Sequence, residues 1–278
     1  MTSTVDLRPD PDPSPPMPPS MDDLVEQTQW DGFWLPPWAT VVDRPELRYT
    51  HATVQQSVLN MVVRVRQPDG SVDLSQLVDE VDRAHRSVPS QWLLAPRSQL
   101  PGLPVRLEAG GWQQGPAHHL RTRAVDDRFS AANDLVVRPV DSAATLIDCI
   151  QTAEQAFGGP QTAISEARVA DELAVLATGR ARRFVVYDPG SDTPMASGGI
   201  NLYPALQIGF LWAAGTHPDH RGRGAYRALL NARLACAQRA GCSHVAVYAR
   251  FDTSDPILAR LQFQRHGTLQ IWERASQS

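Results

Sequence analysis

A glycine- and arginine-rich stretch, residues 216–230, most restricts how this chain can fold. The run before it, residues 208–214, is apolar and predicts a buried strand. The residues after it predict a helix over 225–240 that ends at a glycine. The stretch therefore joins a strand to a helix N-terminus, where unpaired N–H groups and the helix dipole favour an anion. Arg221 and Arg223 add fixed positive charge, so a pyrophosphate is the expected ligand.

The glycine pattern excludes two common phosphate loops and is similar to a third. The dinucleotide pattern G-x-G-x-x-G is incomplete, because Gly222 and Gly224 are its only glycines, and the P-loop needs a lysine that the chain lacks. With Arg221 first and Gly224 central, the loop resembles the acyl-coenzyme A pyrophosphate loop of the GNAT N-acetyltransferase superfamily, [QR]-x-x-G-x-[GA]. Tyr226 departs from that pattern at its last position. Its side chain either narrows the approach of the phosphates or points outward.

The order of predicted elements agrees with this resemblance. Residues 134–278 predict one strand, two helices, three strands, then helix, strand, helix and strand, which is the order of a GNAT domain. Residues 21–127 resemble the later half of such a domain without its phosphate loop. The expected fold class is therefore α/β with a mixed sheet, comprising a full GNAT domain at 134–278 and a degenerate GNAT-like unit at 21–127. Residues 1–20 hold seven prolines and are expected to form a disordered tail.

Composition restricts the partners of the chain. Its 278 residues are 42% hydrophobic and 20% charged, and they contain neither a membrane-length apolar run nor a signal-peptide pattern. A net charge of −4 argues against general nucleic-acid binding. Three cysteines without metal-ligand spacing are typical of a reducing compartment. We therefore expect a cytoplasmic protein that binds no membrane, nucleic acid or metal, and a homodimer stays open.

The resemblance implies which residues bind acetyl-CoA. In GNATs the fourth strand splays from the fifth, and its exposed backbone binds the pantetheine and the thioester. A backbone N–H near Ala213 or Ala214 would then bind the thioester oxygen. Ser254, at the start of a later helix, either caps that helix or hydrogen-bonds the cofactor. The expected contacts with acetyl-CoA are Ala214, Gly215, Thr216, Arg221, Gly222, Arg223, Gly224, Ala225, Tyr226 and Ser254.

The proton-transfer groups usual in the superfamily are missing. The strand position that often holds a glutamate base is Phe210, and the helix position that often holds a tyrosine acid is Leu258. Tyr248 and Asp252, on and after the fifth strand, are the candidate catalytic residues in their place. Catalysis by proximity, with water carrying the protons, is the alternative. Further candidates are Asn201, Tyr203, His217 and His220.

Two functions stay open on this sequence. The first is an acetyl-CoA-dependent N-acetyltransferase that acts on a small-molecule or peptide primary amine by direct attack in a ternary complex. The second is a non-catalytic acyl-CoA-binding or regulatory protein, which Phe210, Leu258 and Tyr226 favour. The aromatic segment at residues 30–38 either staples a loop onto the core or forms a wall for an apolar or cationic substrate.

Overall fold

A computed structural model describes residues 19–67, 73–126, 129, 134–159 and 163–276. The tail expected over residues 1–20 lies almost wholly outside these residues. The helices are α1 (Met21–Thr28), α2 (Leu74–Ala84), α3 (Leu103–Ala109), α4 (Ala143–Phe157), α5 (Glu166–Ala177), α6 (Ala225–Arg239) and α7 (Ser254–Arg260). The strands are β1 (Thr40–Asp43), β2 (Leu47–His51), β3 (Met61–Val65), β4 (Ser90–Leu94), β5 (Gln113–Gln114), β6 (His118–Ala124), β7 (Val136–Pro139), β8 (Ala181–Tyr187), β9 (Pro194–Tyr203), β10 (Ile208–Thr216), β11 (His244–Arg250) and β12 (Gln264–Arg274).

One mixed sheet runs through the molecule. Its strand order is β1-β2-β3-β4-β12-β6-β11-β10-β9-β8-β7, and the short β5 pairs with β12. The β3–β4 and β10–β11 pairs are parallel, whereas the other described pairs are antiparallel. The mixed α/β class predicted from the sequence is confirmed.

The two predicted units exchange their last strands. β6, from the first unit, pairs along its whole length with β11 of the second. β12, the last strand of the second unit, pairs with β4 of the first. The two exchanged strands then pair with each other at the centre of the sheet. Neither unit completes its sheet from its own strands, so the boundary near residues 127–134 divides the sequence but not the sheet.

Helices cover both faces of the second half of the sheet. On one face α6 buries apolar side chains such as Leu229 and Leu234 in a cluster shared with β8 to β11. On the other face α4 and α5 pack on β8, and α1 packs on β10 and β11. The first unit has its own core, in which Trp92 of β4 and Trp272 of the exchanged β12 are both buried.

The aromatic segment at residues 30–38 connects the two units. The guanidinium of Arg64, in the first unit, lies 4.9 Å from the ring centre of Trp30. The Phe33 ring meets the ring of Tyr203, in the second unit, edge-on at 6.0 Å. These contacts favour the loop-staple interpretation of the segment for its first two aromatic residues.

Candidate functional site

The loop between β10 and α6 has the backbone geometry that its sequence predicts, and its anion-binding role stays a prediction. A 3-10 turn at Pro218–His220 leads to Gly222 and Gly224, whose φ angles of 77° and 86° suit glycine. Gly224 is the N-cap of α6 and supplies no side-chain hydrogen bond to the first turn. The N–H groups in the first turn of α6 therefore receive no side-chain cap and are available to a ligand.

The first unit has a closed helix terminus at the equivalent place. α2 follows β3 as α6 follows β10, but its N-cap is Asp73. The Asp73 carboxylate accepts the N–H of Ser75 at 2.9 Å. A built-in carboxylate thus stands at the N-terminus of α2, where α6 has only a glycine, and this carboxylate disfavours an anionic ligand at α2.

The two arginines of the loop are held differently. Arg223 pairs with Asp188, at the turn between β8 and β9, and this contact lowers the pKa of that carboxyl. Arg221 instead reaches the carbonyl oxygens of Thr216 and Ala156 at 3.4 and 3.5 Å. Because it makes no ion pair with the described carboxylates, Arg221 is the arginine more readily available to an anionic ligand.

β10 and β11 separate beside this loop. They pair with each other in parallel over residues 208–210 and 244–246, and no further pairing between these two strands is described. β10 also bulges against β9 between Trp212 and Gly215, and Ala213 in the bulge has a φ of 47°. A bulge releases backbone groups from the ladder. The splayed strand that the resemblance implies is therefore present, with its irregular backbone at the predicted place.

Two adjacent glycines of β9 lie opposite this bulge. A Cβ on Gly199 would lie 2.4 Å from the indole of Trp212. A Cβ on Gly198 would lie 3.0 Å from the Cα of Ala214 and 3.3 Å from Nη1 of Arg233. Neither approach leaves room for a side chain, so the glycine pair lets the indole pack on one face of the sheet and the guanidinium on the other.

Polar groups surround the Trp212 indole on the face that α4 and α5 cover. Its Nε1 donates to Oδ1 of Asn201 at 2.9 Å, and the guanidinium of Arg183 lies 4.8 Å from the ring centre. Arg183 also pairs with Glu172 of α5 at 2.7 Å. Of this cluster, only Asn201 is a candidate from the sequence. No local sequence pattern marks Trp212, Arg183 and Glu172, because the four residues come from β10, β9, β8 and α5 and meet only in the fold.

The two candidate catalytic residues have different surroundings. Tyr248 faces α1, and its ring centre lies 5.6 Å from that of Phe210. Its hydroxyl is buried and has no hydrogen-bond partner within the described part of the chain. Burial, and then nearby carboxylates such as Glu26, raise the pKa of Tyr248, so the phenol keeps its proton. Asp252 is exposed and pairs with Arg250 at 2.7 Å, which lowers the pKa of this carboxyl. Their catalytic roles stay predictions.

Tyr226 takes neither of the orientations expected from the sequence. Its ring packs against the core beneath α6, beside Arg233, instead of narrowing the loop or pointing outward. The side chain is thus turned away from the glycine loop. A role for Tyr226 in cofactor binding would fall to its backbone N–H in the first turn of α6.

Ser254 and Leu258 lie on α7. The N-cap of α7 is Thr253, without a side-chain hydrogen bond, so the expectation that Ser254 caps this helix is wrong. The Ser254 hydroxyl instead donates to the carbonyl of Arg250 at 3.5 Å, and its contact with a cofactor stays a prediction. Leu258 is 1% exposed and packs into the core, where it supplies no proton.

Two features are absent from the described residues. They contain no helix with the length and apolar character needed to cross a membrane. They also contain no group of three or more histidine, cysteine, aspartate or glutamate side chains placed to hold a metal ion.

A comparison with family models identifies the domain that holds this loop. Residues 150–261 match the Acetyltransferase (GNAT) family. The chain carries a GNAT-family domain. The matched segment includes the bulged strand, the glycine loop and α6, so the geometry described above lies inside the GNAT region.

Solved structures resemble the chain over both units. A GCN5-related N-acetyltransferase from Kribbella flavida matches with a TM-score of 0.62 and 15% identity, over 90% of this chain and 93% of that one. A second GCN5-related N-acetyltransferase, from Sphaerobacter thermophilus, matches with a TM-score of 0.61 and 16% identity, over 90% of this chain and 84% of that one. A tandem GNAT protein from the clavulanic acid biosynthesis pathway matches with a TM-score of 0.55 and 16% identity, over 93% of this chain and 88% of that one. These likenesses show a shared tandem GNAT fold. Among curated protein sequences, none matches the chain.

Proposed function

We propose that the protein transfers an acetyl group from acetyl-CoA to a primary amine by direct attack in a ternary complex. The family match supports acetyltransferase chemistry in general. The observation that carries the proposal is the uncapped N-terminus of α6 directly after a bulged, splayed strand. The first feature suits a pyrophosphate, and the second suits an extended thioester beside it.

The residues present fit acetyl-CoA as a substrate. The first-turn N–H groups of α6, with Arg221, would hold the pyrophosphate. The backbone of residues 214–216 lies beyond the paired part of β10 and β11 and would hold the pantetheine. The acceptor amine would approach from the face that α4 and α5 cover, where Trp212 and Asn201 form a polar wall.

The chain contributes orientation and electrostatic stabilisation to this reaction. A backbone N–H released at Ala213 or Ala214 would donate to the carbonyl oxygen as negative charge develops on it. The strand and helix hold both substrates in one cleft, which lowers the entropic part of the barrier. Proton removal from the amine falls to water, since Phe210 cannot perform it and the Tyr248 phenol keeps its own proton.

One observation favours a second function, a non-catalytic acyl-CoA-binding module. Phe210 and Leu258, which stand at the positions of the missing base and acid, both pack in apolar clusters. A module of this kind would bind acetyl-CoA through the same loop without turnover.

Calorimetric titration of Gly224→Glu with acetyl-CoA tests the binding site. The substitution places a carboxylate at the helix N-terminus, so we expect binding to be abolished. Gly241→Glu is the matched control, because Gly241 has a φ of 80° with no atom near its Cβ position and follows the other end of α6. We expect this control to bind normally. Equal affinities for the wild type and Gly224→Glu would contradict the proposed site.

Release of the coenzyme A thiol across a panel of primary amines separates the two functions. An acetyltransferase releases thiol with at least one amine at a rate above the rate with water. A binding module binds acetyl-CoA in the same calorimeter and shows no amine-dependent release.

A further inference from the structure

α6 carries a buried cation for which the described residues provide no counter-charge. Arg233 is 0% exposed beneath the helix. Its Nη1 and Nη2 have no partner at hydrogen-bond distance among the described residues, although the Tyr226 hydroxyl acts on its charge, and its Nε reaches the Leu229 carbonyl at 3.4 Å. Burial lowers the pKa of Arg233, yet a guanidinium keeps its proton in proteins. Such an ion is costly in an apolar interior unless some negative charge approaches it.

The surroundings of Arg233 provide a phenol and, among the described residues, no ion-pair partner. Tyr226, two turns earlier on α6, is the titratable group that acts on it. β9 and β10 present Gly198 and Ala214 there. Tyr248 of β11 packs on the opposite face, with α1. Among the described residues around the splay, Arg250 pairs with Asp252, and Asp255 pairs with Arg121 and His119. The His217 ring lies tilted against the His220 ring, at 5.3 Å between centres.

The guanidinium lies directly behind the bulge of β10. Gly198 shows how close they are: a Cβ built on it would lie 3.3 Å from Nη1 of Arg233 and 3.0 Å from the Cα of Ala214, a residue of the bulge. The charge therefore sits against the strand segment that frames one side of the splay. In this low-dielectric place its field acts strongly on any charge that forms in the cleft.

We propose that Arg233 stabilises the negative charge that forms on the coenzyme A sulfur when the acetyl group leaves. The inference rests on the proposed function, because that function places the thioester beside the bulge. It also accounts for Leu258, since a fixed positive charge takes over the stabilisation that a proton donor would otherwise provide.

The step balances without a further reactant. The amine nitrogen forms a bond to the carbonyl carbon, the C–S bond breaks, and its electron pair stays on sulfur. The surplus proton of the amine nitrogen passes to water, and the thiolate later takes a proton from solvent. Arg233 exchanges no proton and contributes through its charge.

The test compares the affinities of coenzyme A and S-methyl-coenzyme A by calorimetry from about pH 7 to about pH 9.5. An ordinary thiol ionises near pH ~8.5, whereas the methylated sulfur cannot ionise. If Arg233 favours the thiolate, bound coenzyme A carries fewer protons than free coenzyme A in this range. Its affinity relative to the methylated compound then rises with pH, by about tenfold for a thiol pKa lowered by about one unit.

Variants assign the effect to the guanidinium. We expect the rise to persist in Arg233→Lys and to disappear in Arg233→Met, with Arg233→Gln as the second neutral variant if the first does not fold. The inference would be overturned if the affinity for coenzyme A relative to S-methyl-coenzyme A did not change with pH in the wild type, or if it rose equally in a neutral variant. Failure of both compounds to bind at every pH would instead remove the proposed function.

Discussion

Arg221 and Arg223 stand two residues apart in one loop, and the structure gives them different partners. Arg221 meets backbone carbonyls, whereas Arg223 is bound to Asp188. A pyrophosphate bound at this loop, as proposed, would therefore have to compete with a carboxylate for Arg223. The pair is partly exposed, so salt weakens it and a dianionic ligand can displace it.

We predict that Asp188→Asn raises the affinity for acetyl-CoA about threefold to tenfold at low salt, because Arg223 is released and a negative charge is removed. The asparagine oxygen can still accept the Gly190 N–H that Asp188 accepts at 3.0 Å. Asp192→Asn is the matched control, since Asp192 lies on the same turn but pairs with Arg138. Calorimetry at two salt concentrations measures both variants. An affinity gain of the same size in the control would contradict this role for Asp188.

At the scale of elements, side chains that pack on the two faces of the β9–β10 pair require glycine at two positions of β9. The bulge, the indole of Trp212 and the guanidinium of Arg233 all need space that two adjacent glycines provide. The sequence Gly198-Gly199 within a strand pattern indicates an irregular or closely approached strand, but not which partners approach. Those partners come from α6 and from the neighbouring strand.

We predict that Gly199→Ala lowers the free energy of unfolding by about 1–3 kcal/mol, because the new methyl group overlaps the indole ring. In a Trp212→Ala background the same change should cost less than about 0.5 kcal/mol, since the overlapping ring is gone. Urea unfolding of the two single variants and the double variant measures the coupling. Additive effects would mean that the indole does not rest on Gly199.

For the whole molecule, the exchange of β6 and β12 makes one folding unit of two sequence units. Without β6, residues 134–278 would expose the edge of β11 and leave β12 without its central partner. Without β12, the first unit would lose Trp272 from its core. An open strand edge and a missing core side chain both favour aggregation of an isolated half.

We predict that residues 1–133 and 134–278, expressed separately, each fail to show a cooperative unfolding transition. Co-expression should restore one complex that binds acetyl-CoA, because the exchanged strands pair between the fragments. Circular dichroism during thermal unfolding, together with co-purification, measures the outcome. A cooperative transition and normal cofactor affinity for residues 134–278 alone would refute the interdependence of the two halves.

Features that depend on near neighbours in the chain were predictable. Ser142 caps α4, and Gly158, with a φ of 70°, ends it, as the sequence indicates. The apolar run, the glycine loop and the following helix also appear where they are predicted. The short β1 and β5 are not predictable in this way, because strands of two to four residues lack a clear alternating pattern.

By itself, the sequence determined most of the elements, the mixed α/β class and the position of the glycine loop before α6. These depend on capping, periodicity and glycine conformations within a few residues of each other. Only the tertiary structure decided which strand completes which sheet, where the Tyr226 ring points, and that a buried Arg233 stands behind the bulge. Such contacts join residues that are distant along the chain, and their free energy comes from burial and charge in three dimensions, which no local pattern encodes.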